Sequence, residues 1–314
     1  MRTIVFAGAL ATLSGCDAER ILAIAKALDA GSELGDAAGN LSDAGDTTGN
    51  PGDAGQTFRP PQVVTGLRGD AYPVQDPSMT FEELELYFVS PTAGQNDIWV
   101  TRRTVASDPL GAGTLVAELS SPQNDEDPEV SVDGLIMFFS SDRGGDGMRL
   151  YVSRRRTRDT PWETPAPVDG LGSSALDEAP TTDRAQLYLV FASQRGAASD
   201  PHLYAATRPD ASAAWQTAAE LTALNSTSRD TDPALFAEGR ALVFASRRTA
   251  PGLTADLFET ARSDVSAPFA SRVDPISELN SAASESDPWV AQDGRHILFV
   301  SDRDGRSRIY ESRR

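Results

Sequence analysis

Acidic residues recur beside five prolines in this chain. Asp76, Asp127, Glu178, Asp232 and Asp287 lie within two positions of Pro77, Pro128, Pro180, Pro233 and Pro288. A second acidic set, Asp125, Asp177, Asp230 and Glu285, stands three positions before four of these prolines. A serine follows each proline by 13 residues (Ser90, Ser141, Ser193, Ser246, Ser301), and in four cases an arginine comes two residues later: Arg143, Arg195, Arg248 and Arg303. Carboxylates gathered on one face could take a cation, an amine or a basic side chain. The plainer alternative is that each carboxylate pairs with an arginine and with backbone N–H groups to fix a loop. Recurrence in every unit favours the structural role. The first unit has Thr92 in the arginine slot, which makes Asp76 the carboxylate expected to lack a partner.

Other chemistry is poorly represented. His202 and His296 fall in apolar, strand-like segments and belong to no zinc spacing. No Gly-x-Ser-x-Gly elbow occurs. Glycoside hydrolysis needs two carboxylates at a set separation, and acidic residues are too evenly spread for the sequence to single out a pair. No catalytic residue, metal ligand or cofactor is assigned. A net charge of −18 opposes any role that neutralises nucleic-acid phosphates.

The elements that must position these residues come from the repeat itself. The prolines are spaced 51, 52, 53 and 55 residues apart, and each unit carries short β-patterned segments. A period near 50 residues of this kind predicts the blades of a β-propeller. The fold expected is all-β, with five blades over residues 58–314. A first strand should follow each proline. After an acidic-Gly turn comes a near-continuously apolar second strand, buried on both faces. A third strand carries a Leu/Ile-aromatic pair, and a fourth runs from an aromatic to a leucine, as from Trp162 to Leu171. An arginine four residues after each third-strand aromatic (Arg103, Arg155, Arg208, Arg262, Arg314) should lie on the opposite face as a solvated strand end. Of the four tryptophans, Trp289 is the one expected to be exposed. The chain ends after the third strand of the last unit, while residues 58–67 repeat the aromatic-to-Leu spacing of a fourth strand. That segment should close the ring and remove an exposed edge.

The motifs SDR…IY at residues 301–310, SSDR at 140–143 and DIW at 97–99 resemble the TolB-type β-propeller repeat. The resemblance covers five repeats and implies the propeller fold. TolB itself has six blades and an N-terminal α/β domain, for which residues 17–57 leave no room, so its docking to partner lipoproteins carries over only as a loose analogy.

Met1-Arg2 and the apolar residues 3–13 have the form of a signal peptide, too short to span a bilayer. Leu13-Ser14-Gly15-Cys16 then resembles the bacterial lipoprotein signal, which implies lipidation of Cys16, the only cysteine. Residues 16–57 read as a lipid-anchored N-terminus and a flexible acidic Gly/Asp/Ala-rich linker. The functional expectation is a monomeric, non-enzymatic lipoprotein of the bacterial cell envelope. It is anchored to a membrane and binds a protein or glycan through its propeller. The alternative is an envelope polysaccharide hydrolase or lyase using carboxylates on the propeller face.

Overall fold

The computed structural model describes residues 57–196, 200–249 and 254–314; the signal segment, Cys16 and nearly all of the acidic linker lie outside the described residues. The described chain forms five four-stranded antiparallel sheets. Blade one holds β2 (Gln75–Met79), β3 (Glu85–Thr92), β4 (Gln95–Arg102) and β5 (Thr114–Leu115). Blade two holds β6 (Asp125–Val130), β7 (Ile136–Ser141), β8 (Arg149–Arg154) and β9 (Ala166–Pro167). Blade three holds β10 (Asp177–Thr182), β11 (Tyr188–Ser193), β12 (His202–Thr207) and β13 (Ala219–Glu220). Blade four holds β14 (Asp230–Phe236), β15 (Ala241–Ser246), β16 (Asp256–Ala261) and β17 (Asp274–Pro275). Blade five holds β18 (Glu285–Val290), β19 (His296–Ser301), β20 (Arg308–Arg313) and, from the front of the chain, β1 (Gln62–Val63). The inner strands β2, β6, β10, β14 and β18 each contact the next, and β18 contacts β2. The ring closes as a five-bladed β-propeller.

The second strands are apolar for the reason the sequence suggested. Every residue of β15 (ALVFAS) and β19 (HILFVS) is buried, because the strand lies between the core of its own blade and that of a neighbour. Two expectations need correction. The prolines do not precede the first strand but lie within it, at a β-bulge where the register shifts, as between Glu126 and Glu129. The residue before each proline takes a left-handed conformation: Asp76, Asp127, Ala179, Asp232 and Asp287 have φ of 50–52°. Aspartate tolerates that region better than most residues, which is one physical reason for Asp-Pro in four blades. The fourth strands are also only two residues long. In blades two to five the aromatic that opens the segment lies outside the ladder and packs beneath an arginine instead, and blade one has Leu110 in that slot.

The closing segment confirms the ring order. Gln62 pairs with Glu311 and Val63 with Tyr310. The Arg59 N–H donates to the Arg313 carbonyl (3.0 Å), the Val64 N–H to Ile309 (2.8 Å), and Ser312 Oγ to the Arg59 carbonyl (2.6 Å). Phe58 is 6% exposed and sits under the Arg314 guanidinium, 4.5 Å from its ring centre. Trp162 under Arg155 (4.4 Å), Trp215 under Arg208 (4.3 Å) and Phe269 under Arg262 (4.5 Å) repeat that arrangement. Phe58 therefore fills the fourth-strand aromatic slot of blade five.

Candidate functional site

Strand direction brings the start of each inner strand and the end of each second strand to one face of the disc. There Arg143, Arg195, Arg248 and Arg303 are fully engaged. Arg248 shows the pattern: Nε donates to Ser246 Oγ (2.8 Å), and Nη2 to Asp230 Oδ1 (2.8 Å) and the Leu224 carbonyl (2.7 Å). Ser246 Oγ donates to the same carboxylate (2.6 Å), and the guanidinium lies over Phe244 and Phe258. Arg143 with Asp125, Arg195 with Asp177 and Arg303 with Glu285 repeat it. Each clamp ties the Leu that ends one blade to the first two strands of the next. The arginines thus pair with the second acidic set, not with the residues next to the prolines.

In blade one the clamp is rebuilt from elsewhere. Arg68, on a short 3-10 helix over Leu67–Asp70, donates from Nε to Ser90 Oγ (3.2 Å) and stacks 3.6 Å over Trp99. The absence of an arginine beside Thr92 therefore does not single out Asp76. None of the four Asp-Pro carboxylates has an arginine clamp.

Those four aspartates, Asp76, Asp127, Asp232 and Asp287, line the waist of the central channel with the prolines, around a space of about 40 Å³, room for only a few waters. Glu178 is not among them. It stands one position earlier in its blade, where Ala179 takes the left-handed slot, and it pairs with Arg229 (2.9 Å). The waist is electrostatically costly. Burial pushes the Asp76 carboxyl well up, reinforced by Asp287, Asp127 and Glu126. Burial likewise raises Asp127 to about 8, with Glu126, Glu178 and Asp232 adding repulsion. Asp287 is raised by burial and by Asp232 and Asp127, and it shares a hydrogen bond with Asp76. Carboxyl groups this close cannot all ionise. The Asp76 carboxylate accepts from the Asp127 N–H (3.2 Å), and Asp127 accepts from the Ala179 N–H (3.0 Å), so the ring also stitches neighbouring blades.

The waist opens at both ends. Toward the clamp face lies an acidic mouth of about 280 Å³, with Glu126, Glu178, Arg229 and Arg247 around the aspartates. Toward the hairpin turns lies a second cavity of about 220 Å³, lined by residues of all five blades, among them Glu129, Trp289, Phe81 and Gln292. Glu129 reaches both this cavity and the waist. Burial raises its carboxyl to about 7, although Thr181 Oγ1 and Ser78 Oγ each donate to it at 3.2 Å. Trp289 is partly exposed here, but so is Trp99 beneath Arg68, so exposure does not set Trp289 apart; Trp162 and Trp215 are buried.

Three features were not foreseen. The arginines of the opposite face are not solvated strand ends: Arg155, Arg208 and Arg262 are buried. In all five blades the Nε donates to a hairpin-turn carbonyl, as Arg155 does to Gly134 (2.6 Å) and Arg314 to Gly294 (2.8 Å). His296, 2% exposed, joins blades one and five by contacts of Nδ1 with Glu83 (2.9 Å) and Nε2 with Glu311 (3.2 Å). Its other partner is Trp289, packed edge-to-face at 5.7 Å. Glu129 carried no signal, since it stands alone in its repeat position. Among the described residues no group of three or more His, Cys, Asp or Glu side chains is arranged to hold a metal ion.

No protein-family model and no curated protein sequence matches the chain. Solved structures do. An endo-arabinase from Bacteroides thetaiotaomicron VPI-5482 superposes with a TM-score of 0.56 at 12% identity, over 81% of this chain and 97% of that one. An α-L-arabinofuranosidase from Lactobacillus brevis gives 0.55 at 16%, over 77% and 90%. The fold is shared. At these identities the likeness extends to architecture and no further. TolB from Acinetobacter baumannii is also similar, with a TM-score of 0.48 at 17% identity, over 77% of this chain and 54% of that one, so the chain spans about half of that protein's length.

Proposed function

We propose that this propeller is a non-enzymatic recognition scaffold of the bacterial cell envelope. It is tethered to a membrane through a lipid on Cys16 and engages a protein or glycan partner on the clamp face. The observation that carries this reading is the division of labour on that face. Arg143, Arg195, Arg248 and Arg303 are held in clamps and Arg229 pairs with Glu178, while among the described residues Asp76, Asp127, Asp232 and Asp287 have no arginine ion pair and open onto the acidic mouth, which Arg247 also lines. A basic group on a partner entering this mouth gains the attraction of several carboxylates and relieves their mutual repulsion. Binding should therefore release protons and tighten as pH rises through the range in which Asp127 ionises, about 8. The test is capture of partners from envelope extract on the immobilised ring, residues 57–314. The reading expects capture that weakens with salt and is lost in the Asp127→Asn/Asp287→Asn variant. Capture of the same partners by that variant refutes it. Anchoring is tested separately by incorporation of labelled fatty acid, which Cys16→Ala should abolish.

A second reading, an envelope polysaccharide hydrolase or lyase, has one observation in its favour: Asp127 is raised to about 8, and a carboxyl protonated at neutral pH is the form a general acid needs. Release of reducing sugar or unsaturated ends from a polysaccharide panel that includes arabinan, abolished in Asp127→Asn, would establish it in place of the first reading.

A further inference from the structure

The five repeats act as an internal comparison along the channel. The residue before the bulge proline is Asp in four blades, and the proline is invariant. The position after the proline is different in every blade: Ser78, Glu129, Thr181, Ala234 and Trp289. Positions that every repeat needs for the same structural task stay alike from unit to unit; here Ser78, Glu129 and Thr181 make hydrogen bonds across blade seams, whereas Ala234 and Trp289 have no polar group in that chain of bonds. Four of these five residues, Ser78 excepted, line the cavity of about 220 Å³ at the hairpin-turn end.

That cavity has a definite chemical character. Trp289 is held edge-to-face by His296, itself fixed between Glu83 and Glu311, so its indole is presented in a set orientation. Across the mouth Phe81 is 53% exposed, with the Arg184 guanidinium 5.5 Å from its ring. Gln292 fixes its side-chain oxygen on the Glu238 N–H (3.2 Å), which leaves its NH₂ as a donor. Glu129 at the floor is raised to about 7 and can either accept or donate. The walls are balanced in charge. Glu83, Glu129, Asp183 and Asp293 are matched by Arg184, Arg295, Arg313 and His296, in a chain whose net charge is −18. A balanced wall gives a charged ligand no net attraction. A volume below the roughly 300 Å³ of typical drug-sized pockets admits one ring-sized group, not an extended chain.

We propose that the hairpin-turn cavity is a binding site for a single neutral sugar ring, such as the end of an uncharged oligosaccharide, stacked on Trp289 and hydrogen-bonded by Glu129 and Gln292. A pyranose offers what this lining matches: an apolar face for an aromatic ring and a rim of hydroxyls for carboxyl, amide and guanidinium groups. The site is separate from the acidic mouth and faces the other side of the disc, so it stands or falls independently of partner capture there.

The experiment is a titration of the full chain with neutral cello-, malto-, chito- and arabino-oligosaccharides, followed by tryptophan fluorescence and calorimetry. Polygalacturonate and oligoglucosamine serve as charged counterparts. At least one neutral member should bind, with an affinity unchanged between about 0.05 and 0.5 M salt. Trp289→Ala should weaken it by about tenfold or more. Because Trp289→Ala also disturbs the packing on His296, Glu129→Gln and Gln292→Ala are measured beside it at a temperature where each variant is fully folded, and each is expected to lower affinity. Glu126→Gln, which lines the mouth beyond the waist and not this cavity, should leave affinity intact. Absence of binding by every neutral member, salt-dependent preference for a charged one, or full affinity in Trp289→Ala would each overturn the proposal.

Discussion

Replacing Phe58 by alanine tests the closure of the ring directly. The side chain belongs to a core built from blades four and five, with Phe236, Ile276, Leu279, Phe299 and Tyr310, and it lies beneath Arg314. Truncating a buried phenylalanine costs about 3–5 kcal/mol, and loss of the guanidinium contact adds about 0.5–2 kcal/mol. For a domain of this size each kcal/mol moves the melting temperature by about 2–4 °C. Phe58→Ala should therefore lower Tm by roughly 6 °C at the least, and by up to about 20 °C from the truncation term alone. Removing residues 58–67 also takes away Val64 and Leu67, both buried. At about 1.5–3 kcal/mol for each of three buried side chains, the loss of roughly 5–9 kcal/mol rivals the whole stability of a typical domain. That deletion should also leave the β20 edge unpaired, so aggregation is expected. Scanning calorimetry with size-exclusion chromatography measures both variants, and Phe81→Ala, at an exposed site, serves as the reference expected to shift little. A Phe58→Ala protein that melts within about 2 °C of the parent, or a deletion that elutes as a cooperative monomer, would refute the closure argument.

Arg248→Met should be destabilised by about 3–5 kcal/mol, because it strands the fully buried Asp230 carboxylate; an unchanged urea midpoint would contradict the clamp role. Asp127 is raised in the folded state, so the native protein holds a proton that the unfolded chain has released. Its contribution is thus lost as pH rises from about 4 toward 8. Asp127→Asn should be more stable than the parent at pH 8 and should flatten the fall of Tm over that window, whereas parallel pH profiles would argue against the effect. At the seam, Glu83 is lowered to about 2, through hydrogen bonds with His296 and Arg313 that outweigh its burial, so its stabilisation is lost as pH falls through that value. Burial opposes the charge on His296, but Glu311 and Glu83 raise it overall, and its stabilisation fades as pH climbs above its ordinary value of 6.5. Glu83→Gln should therefore cost most between about pH 4.5 and 6.5; an equal loss at pH 9, where Arg313 still pairs with Glu83, would show that the charge on His296 is not responsible.

The architecture was open to sequence reading because each blade repeats the same constraints. Apolar second strands, Asp-Pro bulges and the Ser-x-Arg clamp recur at fixed intervals, and residues 58–67 stood out as a fourth strand without a blade. The site was less open. Aligning Glu178 with the aspartates placed it one residue out of register, since the sequence alone does not show that the slot before the proline needs a left-handed backbone, which Ala179 adopts in its place. In blades two, four and five the clamp carboxylate and the channel aspartate are two residues apart along the chain, and only the bulge sends one set to the arginines and the other to the axis. Arg68 substitutes in blade one from a different element, and His296 meets Glu83 across 213 residues of chain. Neither contact leaves a local pattern.

The clasp between the first and last described strands also sets an order of events. Most pairings in the ring join neighbours in sequence and can form as soon as a hairpin is made, but Gln62 and Val63 must wait for Tyr310 and Glu311. Until residue 313 is available, four blades can assemble around an open sector, and an apolar inner wall lacks its cover. Closing this pairing carries the largest loop-closure cost among the strand pairings of the ring, and until it forms the edge of β20 is open to another chain.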